Sequence, residues 1–398
     1  MDLSYGEEAE ALRREVRAFV EEHRTQAPLG AIGLGGRPDE RVRRWQALLI
    51  ERGYAARNVP REYGGFGAPP DPLARIVIDE EFARAGISRG IGGQGPDMLV
   101  PTLLEHGTEE QRRRYVGPTL RGEMVWCQGY SEPEAGSDLA NVRTSAVLEG
   151  DDFVVTGHKI WTTSAHFSDM MFCLVRTEPE RPRHAGLSYL LIPMASAGIS
   201  VQPLMTMTGK AEFNQVFFDA VRVPRASIVG ERGEGWRIAN ATLVHERNML
   251  GSAAQIDALF QALLRLARTE TRDDRPLIED PLVRDRLMRL QAEVLAARWH
   301  ASRLLSTRLR GEPVGIAGLV VKLTGCELAH QISSTALELL GEVGALYERS
   351  PHERAGGLWV FQQMFSLGLI IGGGTAQIQK NIIGERGLGL PREARGDV

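Results

Sequence analysis

Cysteine and lysine are both scarce in this 398-residue chain, and each shortage narrows what the chain can do. The three cysteines, Cys127, Cys173 and Cys326, are odd in number and widely spaced, so neither a disulfide framework nor a zinc knuckle is expected. The nine histidines form no HExxH pair and no Cys/His cluster, and no metal is expected. No apolar run approaches the roughly 18 residues that a membrane helix requires. The opening residues, Met1-Asp2-Leu3-Ser4-Tyr5, carry no basic n-region and no apolar h-region, so no secretory signal is expected. With 43% hydrophobic and 25% charged residues, the composition is that of a soluble globular protein, expected in the cytoplasm. The formal charge of −4, from 47 basic and 51 acidic side chains, excludes a polycationic nucleic-acid binder. Only four of the basic residues are lysine (Lys159, Lys210, Lys322 and Lys380); the arginines are spread among acids, as Arg-biased codon usage produces.

The period of the apolar residues divides the chain into three. Glu8, Leu12, Val16 and Phe19-Val20, then Trp45 and Leu48-Leu49, recur at helical spacing, with Pro60, Gly64-Gly65 and Pro69-Pro70 as punctuation. From about Glu123 the period shortens. Val142–Leu148, the Gly150-Asp151-Asp152 turn and Phe153-Val154-Val155 read as a hairpin. Asp169–Arg176, Leu187–Pro193, Ile199–Leu204 and Gln215–Val223 read as further strands of a compact antiparallel barrel or sandwich. Helical spacing returns after Gly235, over about 236–268, 281–310, 313–341 and 355–371, with a shorter segment from Ala376. The expected domains are 1–122, helical; 123–231, β; and 232–398, a helical bundle. Without βαβ alternation a Rossmann fold is excluded. Gly90-Ile91-Gly92-Gly93-Gln94-Gly95 spells GxGxxG, but Ile78–Ala85 before it reads as helix, so the strand–turn–helix that a pyrophosphate needs is absent.

Two segments carry chemistry. In Ser131-Glu132-Pro133-Glu134-Ala135-Gly136-Ser137-Asp138, small and hydroxyl residues around a turn leave backbone N–H groups for an anion, with Ser137 as a further donor; an ordinary surface turn has the same composition. In Gly157-His158-Lys159-Ile160-Trp161-Thr162-Thr163-Ser164, Trp161 offers a flat face for a ring system with Thr163 at its edge, or is a core tryptophan.

Together with Val221-Arg222-Val223-Pro224 and the C-terminal Gly374-Thr375-Ala376-Gln377-Ile378-Gln379-Lys380, the pair resembles the acyl-CoA dehydrogenases. The resemblance extends to Asn58–Gly65 and to His106–Gln111, so it runs over nearly the whole chain. It implies an α+β multidomain fold: an N-terminal helical domain, a central antiparallel β-barrel and a C-terminal four-helix bundle. It implies FAD as cofactor, with Gln128, Tyr130 and Ser131 lining the isoalloxazine, Ser137 at the pyrophosphate, Trp161 and Thr163 over the ring near N5, and Thr375 and Gln377 also reaching the FAD. It implies an acyl-CoA substrate, an electron-transferring flavoprotein as acceptor, and a homotetramer or homodimer. Departures from the family pattern leave a heterotetramer open. The Arg-x-x-Phe-Gly segment that reaches a neighbour's adenine is missing from Arg275–Asp280, where Arg268 or Arg275 is the candidate substitute, and Glu338 stands where the family has Gln, near Gly341 and Gly344.

The chemistry needs a carboxylate to take the α-proton. Many family members place it just before the Gly-Thr pair, where this chain has Gly373. A branch that includes the isovaleryl and long-chain types supplies it from the first long helix of the C-terminal domain, followed by Arg; here that position is Glu246, with Arg247 as the accompanying substrate-binding residue. The residues point the same way. Trp236, Ala239, Leu243, Leu250 and Ala253 form a helical stripe that Glu246 joins, and a carboxylate on an apolar face has its pKa raised towards that of a useful base. A glutamate at the stripe's edge paired with Arg247 is the other reading. Gly373 is expected to lend its N–H to the thioester carbonyl, a donor worth about 3 kcal/mol of barrier in comparable oxyanion sites. Two other functions compete on this scaffold: a flavin monooxygenase, which needs no such base, and a non-catalytic subunit of a heteromer. Gly372-Gly373-Gly374 removes side-chain volume beside the α-carbon, so bulky acyl groups are expected to fit best.

Overall fold

A computed structural model describes residues 5–28, 36–247, 250–347 and 350–392. Two compact units share the chain, residues 1–246 and 247–398.

The first unit opens with helices α1 (Glu7–Glu22), α2 (Glu40–Glu51), α3 (Pro72–Ala85) and α4 (Val100–His106), then the short α5 (Glu109–Gln111) and α6 (Gly117–Leu120). Asp71 starts α3 by accepting from the Leu73 and Ala74 amides, with Pro72 in the first turn, and Gly86 ends it at φ 67°. Val16, Phe19, Trp45, Leu49, Ile78 and Phe82 pack into one core, each of the fully buried aliphatic and aromatic groups contributing about 1.5–3 kcal/mol. Glu81 is buried between α1 and α3, where Arg13 and Arg17 bond it from α1 and Arg84 from its own helix.

The β-domain follows with β1 (Trp126–Gly129), β2 (Ser145–Glu149), β3 (Asp152–Lys159), β4 (Met170–Arg176), β5 (Leu187–Pro193), β6 (Ile199–Leu204), β7 (Phe213–Pro224) and β8 (Ile228–Val229). The strands run in the order β6-β7-β3-β2-β4-β5-β8, with β1 added on β4. The expected hairpin is β2–β3, paired from Ser145↔Thr156 to Glu149↔Asp152. The long ladders are antiparallel, whereas β1 joins β4 in parallel, Gln128 opposite Phe172. That strand leads from the β-core cluster of Cys127, Phe153, Val155, Cys173, Leu190 and Val223 into the Ser131–Asp138 segment.

Helix α7 (Gly235–Arg247) closes the first unit, whose boundary falls after Glu246. The second unit holds α8 (Ala253–Thr269), α9 (Pro281–Leu309), α10 (Ala317–Leu340), α11 (Leu358–Ile371) and α12 (Ala376–Ile382). The single helix expected over 236–268 is therefore two. Gly251, at φ 72°, lies so close to α10 that a Cβ would sit 2.8 Å from the Val321 carbonyl oxygen, and Ser252 caps α8 by accepting from the Gln255 amide. Leu250 accordingly lies outside the α7 stripe. The bundle core joins Phe260 and Leu263 of α8, Leu287 and Leu290 of α9, Ile332 and Ala336 of α10, and Trp359 of α11. By its length of 33 residues and the mean hydropathy of 1.3 in its apolar 18-residue stretch, Ala355–Gly387 could cross a membrane, more than the sequence reading allowed for, but Gly372–Gly374 interrupts it and α11 packs on α10.

Candidate active site

In the first unit a buried ion pair joins the two chemistry-bearing segments. Lys159, the last residue of β3, is fully buried, and its Nζ donates to Glu132 Oε1 at 2.8 Å and to the Tyr130 carbonyl at 3.0 Å. Glu132 also accepts from the Arg143 amide at 2.6 Å and the Thr144 amide at 2.9 Å, which closes the 131–144 loop on itself. Burial would push the Glu132 carboxyl up, but the Lys159 charge and these hydrogen bonds hold it below the usual carboxylate range. The Ile160 amide then donates to the Ser131 carbonyl at 2.9 Å, so Ser131 and Trp161 become neighbours.

Trp161 is 58% exposed and sits at φ 60°, a strained conformation for a bulky residue. The next residue is locked to β7: the Thr162 amide donates to the Asn214 carbonyl at 3.0 Å and Asn214 Nδ2 to the Thr162 carbonyl at 2.9 Å. Phe213 meets the indole edge-on with centroids 5.9 Å apart. An exposed apolar ring held at this cost is a platform rather than the core tryptophan that the sequence also allowed. Thr163 and Ser131 are half-buried beside it, and Ser137 is exposed on its loop. Tyr130 is buried, its phenol held neutral first by burial, and its hydroxyl lies beside those of Tyr189 and Thr242 without closing a hydrogen bond among the described residues. The Thr162 hydroxyl is likewise orphaned. A planar, multiply hydrogen-bonding cofactor fits such a face.

Glu246 stands in the last turn of α7, half-buried, and Gln128 of β1 donates from Nε2 to its Oε2 at 3.3 Å. The structure thus brings Gln128, Tyr130, Ser131, Trp161, Thr163 and Glu246 together in one unit. Arg247 ends the helix, and its side chain lies outside the described residues.

Gly373, Thr375 and Gln377 belong to the second unit. Gly373 and Gly374 adopt φ 62° and 92°. Lys322 of α10, 1% exposed, donates to the Gly374 carbonyl at 2.7 Å and the Ile370 carbonyl at 3.1 Å, while Gln379 Nε2 holds the Gly373 carbonyl at 3.1 Å. Thr375 caps α12 by accepting from the Ile378 amide at 3.1 Å, which leaves its O–H available as a donor, and Gln377, two residues on, is exposed. Glu338 pairs with Arg286, and Arg268 and Arg275 are both exposed.

Sequence reading missed the anchoring roles of Glu132, Lys159 and Asn214 in the first unit and of Lys322 and Gln379 in the second. The signal that could have found two of them is lysine scarcity: in a chain that uses arginine almost everywhere, two of the four lysines are fully buried and donate to main-chain carbonyls.

The acyl-CoA dehydrogenase N-terminal, middle and C-terminal domain families match residues 6–123, 127–221 and 233–388. Acyl-CoA dehydrogenase IpdE1 of Mycobacterium tuberculosis is 38% identical over 400 residues, covering 98% of this chain and 100% of that protein. Acyl-CoA dehydrogenase FadE34 of the same organism is 35% identical over 97% of this chain but only 49% of its own length. Among solved structures, the Tcur3481-Tcur3483 steroid ACAD superposes with TM-score 0.82 at 30% identity over 99% of this chain and 100% of that one. The ChsE4-ChsE5 complex from Mycobacterium tuberculosis does so with TM-score 0.81 at 32% identity over the same shares. The chain belongs to the acyl-CoA dehydrogenase family, whose members are FAD-dependent oxidoreductases.

Proposed function

We propose that this chain oxidises an acyl-CoA thioester to its trans-2-enoyl derivative, with Glu246 as the base that takes the α-proton. FAD, when bound, supplies the acceptor for the β-hydride and so takes up the electron pair lost as the Cα=Cβ bond forms. The observation that carries the reading is the placing of Glu246: its carboxylate bonds Gln128, two residues before buried Tyr130 and three before half-buried Ser131, whose carbonyl accepts from the Ile160 amide next to Trp161. Trp161 and Thr163 present the face that receives the flavin, Ser131 and Tyr130 line its edge, and Ser137 meets the pyrophosphate. Thr375 and Gln377 are the further residues that the resemblance assigns to the FAD. Arg247 accompanies the substrate. Gly373 gives its N–H to the thioester oxygen, which stabilises the negative charge that develops as the α-proton leaves, and thereby lets a carboxylate suffice as base.

The substrate we favour is a bulky or ring-bearing acyl-CoA. The three glycines at 372–374 present no side chain, and the relatives with solved structures include one titled a steroid ACAD. Reduced flavin would be reoxidised by an electron-transferring flavoprotein. Assembly with a related second chain is the oligomer we favour over a homomer, because Arg275–Asp280 lacks the Arg-x-x-Phe-Gly phrase and two similar solved structures are titled as pairs of chains.

The experiment is an anaerobic titration of the purified yellow protein with a panel of acyl-CoAs. Bleaching of the flavin with enoyl-CoA formation, strongest for bulky acyl groups, is expected. A butyryl-CoA optimum would refute the substrate class, and product formation that needs oxygen would refute the reaction.

A further inference from the structure

Gln128 enters the site by resemblance as a flavin contact, yet in the fold its side chain is engaged elsewhere. Strand period two puts Gln128 on the same face of β1 as Trp126, opposite Cys127, which packs in the β-core. Trp126 is itself fixed: it is 2% exposed, and its Nε1 donates to Thr119 Oγ1 at 2.8 Å. The backbone of Gln128 is pinned by pairing with Phe172 in the parallel β1–β4 ladder. From that fixed base the amide reaches Glu246. The direction of the bond is settled by chemistry, since an ionised carboxylate has only acceptors and the amide must present its NH2.

The other end of the contact is fixed too. Thr242, one turn before Glu246 on α7, is fully buried, and its hydroxyl lies 2.9 Å from that of Thr102 on α4 and 3.4 Å from that of Tyr189 on β5. Ile238 and Ala239 are also fully buried. The last turn of α7 therefore has a defined position, but a glutamate side chain there keeps three rotatable bonds. Helix carbonyls ending at Arg247 also give a negative charge no help.

We infer that Gln128 is the positioning residue for the base: its β1-anchored amide holds the Glu246 carboxylate by Oε2 and so sets the line along which that carboxylate meets the substrate α-carbon. The inference rests on Glu246 being the base. The 3.3 Å separation is at the long end for a hydrogen bond, as catalytic contacts commonly are before substrate closes the site. Misplacing a base by about 1 Å is enough to cost up to about a hundredfold in rate.

The test compares Gln128→Met, which keeps length and removes the donor, with Glu246→Gln, both as flavin-loaded full chains. For Gln128→Met we expect kcat down about tenfold (about 1.4 kcal/mol of barrier), KM within about twofold, a larger kinetic isotope effect with α-deuterated acyl-CoA, and an unchanged ratio of flavin to protein absorbance. A kcat within about twofold of the parent overturns the inference while leaving the base assignment standing, provided that Glu246→Gln is crippled. Loss of more than half the flavin overturns it by making Gln128 a cofactor contact. If Glu246→Gln turns over normally, the base assignment itself falls, and this inference falls with it.

Discussion

Each of the two units anchors a loop with a buried lysine, and the two do it differently. In the β-domain Lys159 has a carboxylate partner, Glu132, and the pair gathers Tyr130, Arg143 and Thr144 into one closed loop. In the helical unit Lys322 grips main-chain oxygens, those of Ile370 and Gly374, at the C-terminal end of α11 where a cation is favoured by the helix dipole. The first arrangement is a charge pair out of water, which collapses if either partner is lost. The second is a set of charge-assisted hydrogen bonds that shape a glycine loop with little side-chain packing of its own.

The comparison can be broken experimentally. Lys159→Met strands the Glu132 carboxylate and is expected to cost about 3–5 kcal/mol in denaturant unfolding, together with flavin loss on purification. Adding Glu132→Gln should recover part of that stability, because the uncompensated charge is then gone. If the double variant is no better than the single, the pair is not coupled as described. Lys322→Met strands no charge; it is expected to cost about 1–3 kcal/mol in all and to show mainly as reduced kcat through the Gly372–Thr375 loop. Equal flavin loss in both variants would erase the distinction between the anchors.

A smaller effect tests whether ion pairing in the helical part of the first unit behaves by the same rules. Hydrogen bonding from Arg17 above all, with Arg84 and Arg13 and against burial, holds Glu81 at about 2 instead of 4.5. A carboxyl depressed in the folded state gives stability that is present above pH 4.5 and lost as pH falls towards about 2. Glu81→Gln should therefore lower Tm at neutral pH, and the gap to the parent should close over that acid window. A gap that does not change with pH would contradict the cage.

Much of this was legible in the sequence because it is local. Strand β5 spans Leu187–Pro193 as its apolar run announces, and β2–β3 form the hairpin that the Gly150-Asp151-Asp152 turn announces. The ordered motifs around Ser131, Trp161 and Thr375 named the family. What escaped was long-range. Nothing near Gly251 announces that α10 will pass within reach of its missing Cβ, so α7 and α8 read as one helix. A buried pair such as Lys159–Glu132 leaves no periodic trace, since its partners lie 27 residues apart. Gln128 and Glu246 are 118 residues apart, and only the fold makes them neighbours.

The most direct measurement is the rate of flavin reduction in a single anaerobic turnover of Glu246→Gln with a bulky acyl-CoA. We expect a protein that keeps its yellow cofactor and still binds the thioester, but bleaches at least about a hundredfold more slowly than the parent. Bleaching at the parental rate would mean that another group removes the α-proton, and the account of this site would be wrong at its centre.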